Sequence, residues 1–470
     1  MLTQLPSDII PQIIECLHFS RDVRSLALVC SALRPHTCCR LFKVIRIFVE
    51  EGSIIPYHAE LILFYPHLLQ YVSSLLIWQP GRLPMRRSPR EISAIPVHYL
   101  WTRLVIMHRV TFINFGLVSN YAGILSAMEG LDPSRRIALK FCQTIQPDIV
   151  LSEGSLPVRN LDLPLDQSGH RLGNQLLQKC SQSLCQLRLD LRDTSIPDFP
   201  HLPHVRIFHL RLASWTNNQD LTPWLPFFDQ HPSLTHVSLD VGFTTVTLAH
   251  PTLLPNLQSL TAHPLIIERL IPGRPIHNVA NFCPRDFRNC SVSYTTFFRS
   301  LVLSSVPLTT LAIVTDILLS TVALVDMIRG FPMLRNFRLT NNYEVCDWLK
   351  GGGLHIDLTQ FPFAIDGILH ALGKCRYLQH IMLAFTDPNS DTPDERRSFW
   401  SRADIVDMIA VIQESGADDL WSFDLTGDYG ERREVWFAAR VGWLGVASQP
   451  KLKGEWDISP IEYPTYSDDE

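Results

Sequence analysis

Short apolar runs of the form Φ-x-x-Φ-x-Φ, where Φ is a hydrophobic residue, recur along most of the chain, and many follow a proline. The clearest copies begin at Val72, Val158, Leu184, Val205, Leu234, Leu257, Leu308, Leu334, Leu378 and Leu420. Alternation at the last two apolar positions predicts a β-strand with one buried face. The run 205–212 fits two registers, Val205/Phe208/Leu210 or Ile207/Leu210/Leu212, and a weaker copy lies at Ile276/Val279.

The spacing of these runs predicts a repeat architecture. Starts at 158, 184, 205, 234 and 257 are separated by 26, 21, 29 and 23 residues, and periods in the twenties are typical of leucine-rich repeats. Apolar helical periodicity between the runs predicts returning helices at 120–128, 295–303, 319–328, 366–372 and 405–412. We therefore expect an α/β fold in which parallel strands stack into an irregular solenoid.

Two features make the repeat irregular. The Asn or Cys that normally follows the strand of such a repeat is missing in most copies, and Asn342 is the one good match. Larger gaps after residue 334 predict insertions at 351–353 and 387–397. The alternative is an unrelated α/β domain in which the apolar pattern recurs by chance.

The first fifty residues carry a different, helical pattern. Ser7 suits a helix N-cap, and Ile10, Ile13, Ile14 and Leu17 then lie on one face. A second helix is expected from Asp22 as its cap, and Pro35 ends it. The apolar stripe of that helix is Val23, Leu26, Cys30 and Leu33, widened by Ala27 and Val29. Two such short helices bury too little surface alone, so their apolar faces need a partner.

These residues resemble an F-box. The similarity rests on Leu5-Pro6-x-Asp8-Ile9, on the apolar positions that follow, and on Val29-Cys30, and it covers about the first 45 residues. The sequence departs from the family at Leu33, where Trp is usual, and at Val23, where Leu is common. The alternative is an ordinary helical hairpin packed on its own domain.

The resemblance implies that the helices bind a Skp-type linker protein, which joins F-box proteins to a cullin–RING ubiquitin ligase. The residues that it implies for this contact, or for holding its shape, are Leu5, Pro6, Ile9, Ile13, Leu17, Val23, Leu26, Val29, Cys30 and Leu33. An F-box followed by irregular repeats is similar to large fungal families of F-box proteins. The stretch 270–275 resembles a recurrent segment of those proteins, and its Pro272-Gly273 predicts a type II turn.

Together these patterns predict four regions. An F-box module at 1–46 is followed by a linker and first repeat at 47–100, which includes a basic, proline-rich loop with Arg82, Arg86, Arg87 and Arg90. The solenoid occupies 101–445. The last region, 446–470, is expected to be an acidic solvated tail, since residues 387–470 hold 19 acidic and 8 basic residues, a net charge of −11.

Composition narrows the possible functions. Lys+Arg is 41 against Asp+Glu 46, a net charge of −5, which disfavours nucleic-acid binding. We find neither a secretory signal nor a transmembrane stretch, so the 11 cysteines are expected to be reduced in the cytoplasm or nucleus. No nucleotide, zinc-protease or hydrolase motif is present, and we expect no metal, cofactor or catalytic residue.

Three functional classes remain. The first is the substrate-recognition subunit of an SCF-type (Skp–cullin–F-box) ubiquitin ligase, which binds an unidentified target through its repeats. The second is a repeat-based scaffold for protein interactions with no ubiquitin-ligase role. The third is an enzyme whose Ser/His/Asp or Cys/His site is assembled from positions far apart in the sequence.

Overall fold

The structure is a computed structural model with two compact units, Met1–Ser214 and Trp215–Glu470. The residues that it describes are 9–17, 20–29, 31, 33–50, 53–54, 62–78, 95–96, 98–104, 106–116, 122–132, 134–142, 154–166, 169–192, 199–212, 221–241, 253–281, 294–315, 321–341, 361–386, 402–429, 432–440 and 456–462. The basic loop, the glycine run at 351–353, the insertion at 387–397 and Asn342 lie outside these residues.

The first unit is built on a parallel sheet that follows three N-terminal helices. Its helices are α1 (Ile9–Glu15), α2 (Ser20–Val29), α3 (Arg34–Leu41), α4 (His98–Arg103), α5 (Ala122–Glu129) and α6 (His170–Cys180). Its strands are β1 (Val44–Glu50), β2 (Ser53–Ile54), β3 (Ser74–Trp78), β4 (Ile95–Pro96), β5 (Phe112–Phe115), β6 (Ile137–Phe141), β7 (Val158–Leu165), β8 (Gln186–Leu191) and β9 (Ile207–Leu212). The parallel order is β1-β3-β5-β6-β7-β8-β9, and the short β2 pairs antiparallel with both β1 and β4.

The second unit repeats this arrangement. Its helices are α7 (Leu225–Gln230), α8 (Pro264–Leu270), α9 (Tyr294–Leu301), α10 (Thr321–Arg329), α11 (Phe361–Gly373) and α12 (Arg402–Glu414). Its strands are β10 (His236–Asp240), β11 (Ser259–Ala262), β12 (Asn278–Asn281), β13 (Thr310–Thr315), β14 (Asn336–Asn341), β15 (His380–Thr386), β16 (Ser422–Tyr429), β17 (Arg432–Arg440) and β18 (Trp456–Glu462). Strands β10 to β16 pair in parallel in chain order, and β17 and β18 add antiparallel strands at the end.

The second apolar position of each repeat forms one buried row. In the second unit, direct strand pairing connects Val237, Leu260, Val279, Leu311, Phe337, Ile381 and Phe423. All seven side chains are buried. The second apolar residues of these repeats thus occupy equivalent inner positions, as stacked repeats require. The repeat pattern fixes both the strands and their register, because a one-residue slip would turn the apolar row to solvent.

The structure also shows which register the ambiguous run 205–212 adopts and whether the weak copy at Ile276/Val279 forms a strand. Phe208 pairs with Leu187 and Leu210 with Leu189, and Val205 is fully buried, so 205–212 adopts the first of its two registers. The weak copy at Ile276/Val279 is strand β12. A helix lies at each of the five predicted returns, with ends that differ from the prediction by up to five residues. The α/β class with parallel strands is therefore correct for both units.

Backbone hydrogen bonds extend the parallel ladder beyond the N-terminal ends of the strands. In the turns that precede the strands of the second unit, the N–H of Arg335 donates to Thr309 O, that of Gln379 to Arg335 O, and that of Trp421 to Gln379 O, at 2.7–2.8 Å. In addition, the amide of Asn281 bridges to the next strand, accepting from the N–H of Val314 at 2.8 Å and donating to its carbonyl at 2.9 Å. These bonds satisfy backbone groups just before the strands and at Val314, near the end of β13.

The structure differs from the expectations at both ends. A third N-terminal helix, α3, begins at Arg34, so Pro35 lies in the first turn of this helix rather than at the end of the helix before it. Helix α2 begins at Ser20, which leaves Asp22 in the first turn rather than at the cap. Part of the region expected to be a solvated tail forms β18, which pairs with β17 in antiparallel register. The expected boundary at residue 46 falls inside β1.

The predicted type II turn is present and is unusually well anchored. Gly273 has φ +76°, and the N–H of Arg274 donates to Ile271 O at 3.1 Å. Pro272 and Gly273 thus occupy the two central positions that this turn requires. The turn delivers Arg274, which is almost fully buried, beneath the end of α8.

Candidate functional site

The three N-terminal helices pack around a small apolar interior. Helix α3 contacts both α1 and α2, and also the short 3-10 helix Pro66–Tyr71 of the repeat region. Val23, Leu33 and Ile14 are buried. The hydroxyl of Thr37 is buried as well and donates to the carbonyls of Leu33 and Arg34. The helices therefore form a folded element whose outer side chains are available for contact.

The residues that the F-box resemblance names divide between interior and surface. Val23 and Leu33 lie in the interior, so they hold the shape of the helices. Ile9, Leu17 and Leu26 are half-buried, and Ile13 is exposed. Leu5, Pro6 and Cys30 lie outside the described residues. Val29 ends α2, and its side chain lies outside the described part of the chain as well.

Leu28 is an exposed apolar residue that the sequence pattern did not single out. It is 83% exposed, the largest exposure of any large hydrophobic side chain among the described residues. At 3.6 residues per turn it points about 200° away from Leu26, and therefore to the polar side of α2. A leucine among the polar side chains of Asp22, Arg24 and Ser25 was the signal that could have revealed it.

A second candidate surface is the outward face of the strands in the second unit. Its first row begins each strand and connects, through strand pairing, His236, Ser259, Asn278, Thr310, Asn336, His380 and Ser422. All seven residues are polar, whereas the next residue in every strand belongs to the buried apolar row. The following outward row over β13 to β16 is Ala312, Arg338, Met382 and Asp424.

These two rows line a shallow depression of about 210 Å³ over β13 to β16. Most polar groups in its first row satisfy one another. Asn336 Nδ2 donates to Thr310 Oγ1 at 3.1 Å, and His380 Nδ1 shares a hydrogen bond of 2.8 Å with Ser422 Oγ. Asp424 differs, because its Oδ1 is buried and has no hydrogen-bond partner among the described residues. Burial raises the pKa of Asp424, and the nearby His380 lowers it by a smaller amount.

The depression brings together Ser422, His380 and Asp424, the three residue types that a serine hydrolase site would need. Acyl transfer needs backbone N–H donors beside the nucleophile to hold the oxyanion. The N–H of Ser422 already donates to Gln379 O at 3.0 Å within the strand ladder. The N–H of Ser422 is therefore not free to hold an oxyanion.

On the outward face of the first unit, strands β6 to β9 carry charged side chains. Lys140, Asp162 and Arg188 are neighbours in register on β6, β7 and β8. Arg188 Nε is 3.8 Å from Asp162 Oδ1, and Arg211 Nη1 is 4.0 Å from Asp190 Oδ2. Burial raises the pKa of Asp162, while Arg188 and Lys140 lower it. The charges on this face are thus partly paired with one another.

No metal-binding cluster of three or more His, Cys, Asp or Glu side chains occurs in the described part of the chain. None of the described helices has the length and apolar character needed to cross a membrane. The cysteines that the structure describes are all free, and burial raises the pKa of Cys375 to about 11. At neutral pH that thiol is protonated and unreactive.

The sequence was also compared with known proteins. No protein-family model matches the chain, and no curated protein is significantly similar to it.

Proposed function

We propose that this protein is the substrate-recognition subunit of an SCF-type ubiquitin ligase. Helices α1 to α3 bind a Skp-type linker and, through it, a cullin–RING ligase. The outward strand faces of the repeats bind the target protein. The protein itself contributes no catalytic group, since its effect is to hold the target near the ligase.

The observation that carries this proposal is the distribution of apolar side chains on the N-terminal helices. Their interior is filled by Ile14, Val23 and Leu33, yet Leu28 and Ile13 are exposed to solvent. Leu28 gives α2 an exposed apolar side chain on its polar side, opposite the half-buried Leu26. Both leucines belong to the segment that resembles an F-box.

The repeats support the target-binding half of the proposal. Their strands turn one side chain row inward for packing, which leaves the alternate row free to vary without loss of stability. In the second unit this outward row combines hydroxyl, amide, imidazole and charged groups around an open depression. Such a surface suits recognition of a polar segment of another protein.

The experiment is a pull-down of a purified fungal Skp-type linker by the full-length protein. We expect the wild type to retain the linker and Leu28→Asp to lose it. An aspartate forced into a desolvated interface costs on the order of several kcal/mol. Because each 1.4 kcal/mol or so is tenfold in affinity, roughly a hundredfold loss is expected. Leu28 is preferable to Leu26 for this test, since an exposed position tolerates a charge without unfolding.

The matched control is Val302→Asp, the same change at an exposed apolar position (60%) in the second unit. It should bind the linker like the wild type, and circular dichroism should show all three proteins folded. Failure of the wild type to retain the linker would refute the F-box assignment. The scaffold function would then be the better proposal, because the repeats can bind a partner without the helices. If the linker binds, recovery of the cullin in the same complex separates a ligase subunit from a scaffold.

A further inference from the structure

The depression over β13 to β16 has the size of one side chain. Its volume of about 210 Å³ is below the roughly 300–1,000 Å³ of pockets that enclose a whole small molecule. It is open to solvent along the outward face of the sheet, so an extended segment of another protein can lie across it. One side chain of that segment would then occupy the depression.

Hydrogen-bond accounting identifies the group in the depression that lacks a partner. Asn336 is paired with Thr310, and His380 with Ser422. The carboxylate of Asp424 remains, with Oδ1 buried and unpartnered among the residues that the structure describes. A partly desolvated carboxylate is poorly compensated by water, and a cation that donates hydrogen bonds removes that cost.

We propose that this depression binds an arginine side chain of the target protein, with Asp424 as its counter-ion. The inference rests on the proposed function in one respect, namely that the arginine belongs to a ubiquitylation target. Its chemistry rests on the site alone.

The neighbours of Asp424 favour a guanidinium over an ammonium group. Met382 pairs with Asp424 across β15 and β16 and provides an apolar, polarizable floor. A guanidinium is planar and weakly hydrated, and it packs on such an apolar side chain while it donates to a carboxylate.

Charge on a larger scale acts in the same direction. The described residues 402–429, which include Asp424, hold seven acidic residues and one basic residue, a net charge of −6, and a negative region accelerates and favours the approach of a cation. Arg338 also lines the depression, but it lies two strands from Asp424, which is roughly 10 Å. Arg338 has a partner of its own, and the separation is about one Debye length in physiological salt.

The test compares a cationic probe with its neutral isostere. N-acetyl-arginine-methylamide and N-acetyl-citrulline-methylamide differ in charge at nearly constant shape. Their binding to the full-length protein is measured by ligand-observed NMR at millimolar concentrations, without any linker present. We expect the arginine probe to bind the wild type at least tenfold more tightly than the citrulline probe, and Asp424→Asn to abolish that difference.

The control variant is Asp190→Asn, the same substitution on the outward face of β8 in the first unit, which should bind both probes as the wild type does. Equal affinity of the two probes for the wild type, or no detectable binding of either, would overturn the proposal. So would an undiminished preference for arginine in a folded Asp424→Asn protein. Because no linker is used, this result is independent of the pull-down, and either proposal can fail alone.

Discussion

Arg274 should be one of the strongest single contributors to the stability of the second unit. It is 3% exposed, and its guanidinium donates three hydrogen bonds to backbone carbonyls. Nε reaches Leu253 O at 2.6 Å, and Nη1 reaches Leu270 O at 2.7 Å and Pro272 O at 3.2 Å. Leu270 is the last residue of α8, so one of these bonds satisfies a carbonyl that no helical N–H can reach.

Replacement of this residue by methionine keeps the apolar stem and removes the donors. A hydrogen bond to a charged group contributes about 1.5–3 kcal/mol, and the 3.2 Å bond is the weakest of the three. Burial of the charged guanidinium has a desolvation cost, which also lowers the pKa of Arg274. The substitution removes that cost, so the net loss of stability is smaller than the sum of the three hydrogen bonds. We therefore expect Arg274→Met to reduce the free energy of unfolding by about 3 kcal/mol. Arg274→Lys should lose roughly half as much, since an ammonium lacks the fork that reaches separate carbonyls.

Urea denaturation of the full-length protein measures the change, and hydrogen exchange locates it. The N–H of Gly273 donates to Leu303 O and that of Ser305 donates to Arg274 O, so both amides should exchange faster in the variant. The matched control is Arg269→Met, at an exposed position on the same helix, which should cost less than about 0.5 kcal/mol. A variant Arg274→Met as stable as this control would refute the reasoning, because it would mean that water replaces the guanidinium at all three carbonyls.

Three further predictions, two substitutions and one pH dependence, test other parts of the packing. In Gly373→Ala, the new Cβ would lie 2.6 Å from the carbonyl oxygen of Ile412, so α11 and α12 must move apart. Urea denaturation should show a free energy of unfolding lower by roughly 2 kcal/mol. Burial lowers the pKa of His263 to about 4, so the folded protein holds this imidazole neutral while the unfolded chain binds a proton below about pH 6.5. The free energy of unfolding should therefore be fully present above about pH 6.5 and fall by roughly 3 kcal/mol towards pH 4, which urea denaturation across that pH range measures. Lys179 is 2.9 Å from Glu129 with both side chains mostly buried, and Lys179→Met should lower the unfolding free energy by roughly 2–3 kcal/mol, read from thermal and urea unfolding.

Each of these has a control. Gly273→Ala places a Cβ in open space at φ +76°, so it should cost only about 1 kcal/mol of backbone strain; an equal loss at Gly373 would argue against a helix–helix clash. His263→Asn keeps a side chain that can cap α8 but removes the titration, and an unchanged acid slope in that variant would contradict the assignment to this histidine. Adding Glu129→Gln to Lys179→Met should recover part of the stability; no recovery would mean that the charge pair is not what Lys179 provides.

The strands were predictable where the repeat pattern is complete, because alternation is a local property that tertiary structure preserves. The unit Val110/Ile113/Phe115 also fits the pattern and forms β5. Strand β6 was harder to find, since the exposed Arg136 stands where the first apolar residue of the pattern is expected. Strand β18 could not be found this way at all, because acidic composition suggested solvation and its pairing partner is a strand that lies outside the repeat pattern.

The sites were less predictable, and the reason is geometric. His380 and Ser422 are 42 residues apart in sequence and become neighbours only through the register of β15 and β16. Once the buried row is assigned, that register can be read from the sequence, and it places Met382 beside Asp424. The sequence could therefore have predicted which side chains share the depression. Which of them lacks a partner depends on distances of a few tenths of an ångström, and that orphaned carboxylate is the feature that gives the depression its expected preference for arginine.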